Sequence, residues 1–120
     1  LEIAQATRET PELCAQQILN LAHWALAPAG NAPDASIPIA ARNKPVDVLV
    51  LDEVGYAMHR GYVTRADIEK LIASKPATTE LVLTGRGLLD LADRADLVTE
   101  MVPIKHYFDE GLLARRGIEY

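Results

Sequence analysis

Asp52 and Glu53 stand directly after residues 46–51, a run in which five of six side chains are apolar. Further along, Arg86 sits between Gly85 and Gly87, behind a second apolar run. Carboxylates at a strand end hold a divalent cation directly or through water, and the cation neutralises phosphate oxygens. A guanidinium grips phosphate through two parallel N–H donors. Flanking glycines let the backbone come close to a ligand. The strand followed by Asp-Glu matches the Walker B pattern, so the pieces together point to a metal-bound polyphosphate. Each has a plainer reading when taken alone. An acidic pair after a strand also serves as a helix cap or a solvated loop, and a glycine-flanked arginine also serves as a surface turn.

Other chemistry-bearing residues carry less. His59, Arg60 and Tyr62 follow the acidic pair, and Lys105 and His106 come later. Basic groups beyond strand ends suit an anionic substrate, but each also fits a solvated loop. His23, His59 and His106 show no metal-ligand spacing. Cys14 falls on the apolar stripe of a helix, where a thiol is buried and inert rather than nucleophilic. The chain contains no G-x-S-x-G nucleophile elbow, and no segment resembles a glycine-rich phosphate loop.

The elements that must position these groups read as follows. Thr10 suits a helix N-cap and Pro11 the first helical position, which opens a helix over 11–26. Its apolar stripe is Cys14, Ile18, Leu21 and Ala25, with Leu13 and Trp24 nearby. Residues 27–45 hold four prolines and a glycine and read as a loop-rich insertion. Residues 46–51 form a strand whose near-continuous apolar run predicts burial on both faces. Thr64 caps a second helix, with Asp67 as the acidic member of a capping box. Ile68, Leu71 and Ile72 form its inner stripe, and Pro76 stops it. A strand over 80–84, a short helix over 88–95 and a third strand over 97–102 complete the pattern. Alternating strands and helices predict an α/β fold with an open, mainly parallel sheet and flanking helices. Ligands in such sheets bind beyond the carboxyl ends of the strands, where both chemical motifs lie.

The bulk numbers bound the rest. The 120 residues read as one α/β domain, 1–120, with 49% hydrophobic and 24% charged residues. A net charge of −5 opposes a surface built for nucleic acid, while a local basic cluster still serves one anionic ligand. A single cysteine excludes an intrachain disulfide and fits a reducing, cytoplasmic setting. No apolar run approaches the roughly 20 residues that span a bilayer. The open sheet edge predicts pairing with another chain.

Four segments taken together carry a resemblance: "VLVLDEVGYAMHRGYV", "LVLTGRG", "ADLVTEMVPIKHYFDEG" and the terminal "ARRGIEY". In order and spacing, residues 48–120 resemble the C-terminal part of the ATP:corrinoid adenosyltransferases of the CobA/BtuR type. The resemblance implies a P-loop NTPase-like (RecA-like) α/β fold and a homodimer. It implies transfer of the 5′-deoxyadenosyl group of ATP to the Co(I) of a corrinoid, with Mg²⁺ on the triphosphate. It assigns Glu53, with Asp52 beside it, to the metal and nucleotide, and Arg86 of the Gly85–Arg86–Gly87 turn to the phosphates. The family's glycine-rich phosphate loop has no counterpart in the 51 residues before Asp52. The expectation is therefore a C-terminal part of such an enzyme. The alternatives are a shortened, non-catalytic corrinoid- or nucleotide-binding relative that pairs with another subunit, and an unrelated P-loop ATPase subunit. One local departure stands inside the motif: where the family has "LDELTY" or similar, this chain has "LDEVGY", with Gly55 in place of a polar residue.

Overall fold

The computed structural model describes residues 10–28 and 44–118. Most of the proline-rich 27–45 insertion lies outside the described residues. The chain divides into two units, residues 1–90 and 91–120.

The first unit begins with helix α1, Pro11–Leu26, with the expected bounds. Thr10 caps it by accepting from the Leu13 amide at 3.3 Å, and Pro11 occupies the first turn. The buried face is Ala15, Leu19, Ala22, Ala25 and Leu26. This corrects the expected stripe of Cys14, Ile18, Leu21 and Ala25: the helix is turned by about one residue, leaving Ile18 57% exposed. The alanines explain the turn. Small side chains on the inner face let a neighbouring helix approach closely, which larger groups forbid.

Strand β1, Val48–Leu51, pairs in parallel with β2, Glu80–Leu83, in the register Val48↔Glu80 to Leu51↔Leu83. Thr79, fully buried, donates its hydroxyl to the Val46 carbonyl at 2.7 Å. The Glu80 amide donates to the Asp47 carbonyl at 2.9 Å, so the two strands enter in step. Between them lie α2, Val54–His59, and α3, Arg65–Ser74. Helix α1 packs on α3 and β1. Leu51, Ile68 and Leu71 are buried there, the last two at 0% exposure.

The expectation of a strand buried on both faces is corrected. Leu49 and Leu51 are the more covered residues of β1, while Val48 and Val50 are exposed, with Val82 beside them on β2. Side chains alternate across a strand, and among the described residues the helices shield one face only.

Helix α3 confirms the capping box. The Asp67 amide donates to Thr64 Oγ1 at 3.2 Å, and the Thr64 amide donates back to Asp67 Oδ2 at 3.0 Å. The Thr64 hydroxyl also donates to Asp67 Oδ2, at 2.6 Å. These bonds hold the Asp67 carboxyl below the ordinary carboxylate range. A carboxyl with a lower pKa folded than unfolded adds stability above the unfolded value, about 3.9, and loses it as pH falls through the folded value. Asp67→Asn is expected to cost about 1 kcal/mol at pH 7. Thermal melts of the two proteins should converge as pH drops below about 4, and an undiminished difference at pH 2.5 to 3 would count against the capping role.

The second unit has little regular structure. The short helix expected at 88–95 is a 3-10 helix, Leu88–Arg94, and a second 3-10 helix spans Tyr107–Glu110. The third strand expected over 97–102 is not formed, and the described sheet has two strands. A strand exists by pairing, and no segment of residues 91–118 pairs with this one. Its apolar residues stand open, Leu97 at 83% and Met101 at 91%. Among the described residues, no helix is long and apolar enough to cross a membrane.

Candidate functional site at the strand ends

Both strands of the parallel pair run out at the same edge, β1 into Asp52 and Glu53 and β2 into Thr84, Gly85, Arg86 and Gly87. The side chain that joins them is Thr84. The Thr84 hydroxyl donates to Asp52 Oδ1 at 2.5 Å and accepts from the Glu53 amide at 2.9 Å. The backbone adds two bonds. The Thr84 amide donates to the Leu51 carbonyl at 3.1 Å, and the Gly55 amide donates to the Thr84 carbonyl at 3.2 Å. The acidic pair and the arginine turn are thus laced together by four hydrogen bonds through one residue.

Glu53 has φ 55° and ψ 23°, the left-handed conformation, and is the non-glycine residue with positive φ among those described. This geometry costs a residue with a Cβ roughly 1–2 kcal/mol. It turns the chain from β1 directly into α2 while the Glu53 carboxylate stays exposed. Among the described residues no protein group pairs with the Glu53 carboxylate or the Arg86 guanidinium, and both are exposed. Opposite charges held at one edge and left unneutralised by each other are available to a ligand.

The remaining basic candidates, His59 apart, are engaged locally. His59 ends α2. Arg60 donates to the Tyr62 hydroxyl at 3.3–3.4 Å and lies 5.8 Å from that ring's centre; the hydrogen bond raises the Arg60 pKa further. In the second unit Lys105 pairs with Glu110 at 3.0 Å, and His106 Nδ1 accepts the Phe108 amide at 3.1 Å. His23 is partly exposed on α1, with Nδ1 3.3 Å from Ser74 Oγ. No group of three or more His, Cys, Asp or Glu side chains that could hold a metal occurs among the described residues. An open cleft of about 440 Å³ adjoins the turn, and Gly55, Met58, His59, Val63, Arg65 and Gly87 are among the residues that line it. Arg65 is tied there to Glu69, at 2.8 Å, and to the Asp90 carbonyl.

Sequence reasoning placed Asp52, Glu53, Gly85, Arg86 and Gly87 at one edge, and the structure brings them together there. It missed Thr84 and Gly55 as the residues that hold the edge in shape. The signal for Thr84 was available: a hydroxyl at the last step of a strand, level with an acidic pair at the end of its neighbour.

A parallel two-stranded sheet with flanking helices, with an acidic pair and a glycine-flanked arginine at its carboxyl end, defines an α/β protein. Sequence comparison gives the particular family. The profile described as ATP:corrinoid adenosyltransferase BtuR/CobO/CobP matches residues 33–120, and the chain belongs to that family. It is 37% identical over 76 residues to the corrinoid adenosyltransferase CobA of Salmonella typhimurium, covering 62% of this chain and 39% of that one. It is 40% identical over 81 residues to a corrinoid adenosyltransferase of a Sinorhizobium species, covering 66% of this chain and 38% of that one. A Pseudomonas aeruginosa corrinoid adenosyltransferase is 38% identical over 76 residues, with 62% and 37% covered. The chain therefore spans less than two-fifths of the length of these relatives.

Proposed function

We propose that this chain forms the metal-side and phosphate-side wall of an ATP:corrinoid adenosyltransferase site, as the C-terminal part of that enzyme. The observation that supports the reading is the Thr84 lacing, which ties together the two strand ends that carry Glu53 and Arg86. In the reaction the Co(I) of the corrinoid attacks the ribose C5′ of ATP. A cobalt–carbon bond forms, the C5′–oxygen bond breaks, and triphosphate leaves with the bonding electrons. Arg86 is the donor that meets the growing phosphate charge. The single domain over 1–120, the P-loop NTPase-like fold, the homodimer and the cytoplasmic setting belong to the same proposal.

The donor set suits Mg²⁺. Asp52 Oδ1 takes the Thr84 hydroxyl, which leaves Oδ2 and the Glu53 carboxylate as hard oxygen ligands. Mg²⁺ is typically held by one or two carboxylates and fills its remaining positions with water and phosphate oxygens. Bound there, it would neutralise charge on the triphosphate.

Titration of the chain with MgATP and with a reduced corrinoid, followed by assay of adenosyl transfer, tests this. Saturable binding of MgATP that is lost in Glu53→Gln is expected. Binding without transfer, even with a subunit that supplies the rest of the site, favours the non-catalytic relative, and absence of binding to either substrate, alone or with such a subunit, overturns both readings.

A further inference from the structure

We infer that Gly55 is a positioning residue, a bare seat on α2 that sets where the 84–87 turn holds Arg86. Gly55 is buried and lies inside a helix, where glycine is less favourable than alanine by about 1 kcal/mol. Its backbone gives no reason for glycine, since its φ is not positive, unlike that of Gly61, Gly85, Gly87, Gly111 and Gly117. The reason is contact. A methyl group at Gly55 would lie 2.2 Å from the Arg86 carbonyl oxygen and 3.0 Å from the Arg86 carbonyl carbon and amide nitrogen. Those are backbone atoms, so no rotamer change relieves the clash. The fit is reciprocal: a methyl group at Gly85 would lie 2.9 Å from the Gly55 nitrogen. Across this contact the Gly55 amide donates to the Thr84 carbonyl at 3.2 Å. The turn that carries Arg86 therefore rests directly on the first turn of α2, one residue beyond the Glu53 N-cap and its neighbour Val54.

In this chain's geometry a side chain at position 55 would have to lift Thr84 to Gly87 off that seat. The lift draws the Thr84 hydroxyl away from Asp52 and the Glu53 amide, and moves Arg86 relative to the acidic pair. Gly55 thus acts on a ligand through Arg86, without touching it. Its effect on binding rests on the phosphate reading proposed above; its effect on the turn does not.

The test uses the full chain with two readouts. Amide hydrogen exchange at Glu53 reports the Thr84 contact. Calorimetric titration with inorganic triphosphate and MgCl₂ reports the site. Gly55→Ala is expected to speed Glu53 exchange at least tenfold and to raise the triphosphate Kd about tenfold or more, the scale of one charge-assisted hydrogen bond. It should add nothing in an Arg86→Ala background, because both changes remove one contribution. Gly111→Ala, at a positive-φ helix end in the second unit, controls for lost stability and should leave both readouts unchanged. Gly85→Ala presses on the same contact from the other side and replaces Gly55→Ala should that variant not fold. Unchanged Glu53 exchange overturns the positioning role, as do additive losses with Arg86→Ala. A wild-type chain that ignores triphosphate sinks the phosphate reading instead, and the exchange result still decides whether Gly55 seats the turn.

Discussion

Arg86→Ala is expected to lower kcat for adenosyl transfer by about 10²–10³ in an active enzyme carrying this chain, the range for removing one preorganised donor at developing charge. As the C5′–oxygen bond breaks, the triphosphate takes up the electron pair, so a donor there matters more in the transition state than in bound ATP. The loss should fall mainly on kcat, with a smaller rise in KM. Arg86→Lys should recover only part, since an ammonium brings the charge without the two-pronged donor geometry. Folding should barely change. Arg86 is exposed and has no protein partner among the described residues, and substitutions at such sites stay within about 0.5 kcal/mol. Steady-state kinetics with thermal melts separate the two effects. Activity within threefold of wild type would remove this turn from the phosphates.

How much of this was legible before the structure depends on the range of the forces involved. Local signals were read well. The bounds of α1 followed from Thr10 and Pro11, and the capping box from Thr64 and Asp67, because caps are decided within three or four residues. Which face of α1 is buried was not local. It depends on what packs against the helix, α3 and β1, which the segment's own pattern does not display. The strand expected at 97–102 failed for a related reason. "LVTEMV" has the composition of a strand, but a strand needs a partner, and no pattern in the segment names one. At the site, Asp52, Glu53 and Arg86 announced themselves by type and spacing, while the geometry belongs to Thr84 and Gly55. Their roles are made by contacts about thirty residues apart, Thr84 with Asp52 and Gly55 with the Arg86 carbonyl, which a one-dimensional pattern does not display.

Glu53→Gly should separate stability from function. Glu53 holds a left-handed φ of 55°, and a side chain there costs roughly 1–2 kcal/mol that glycine avoids. Glycine gives back part of this through its freer unfolded chain, about 0.5–1 kcal/mol. The net expectation is a protein more stable by up to about 1 kcal/mol, with a melting temperature raised by a few degrees. The backbone bonds survive, because the amide that donates to Thr84 Oγ1 belongs to any residue but proline. What disappears is the carboxylate, and with it the main oxygen ligand proposed for Mg²⁺. Adenosyl transfer should fall at least 10²-fold, comparable to removing a principal charge-stabilising group, and excess Mg²⁺ should not restore it. Glu53→Gln, which keeps the strain, should lose activity similarly without gaining stability. The pair tests the proposed reason for the strained turn, that glutamate occupies a conformation suited to glycine to supply a carboxylate at this edge. A Glu53→Gly protein that melts lower than wild type would show that the side chain supports the fold, and one that keeps its activity would take the carboxylate out of the site.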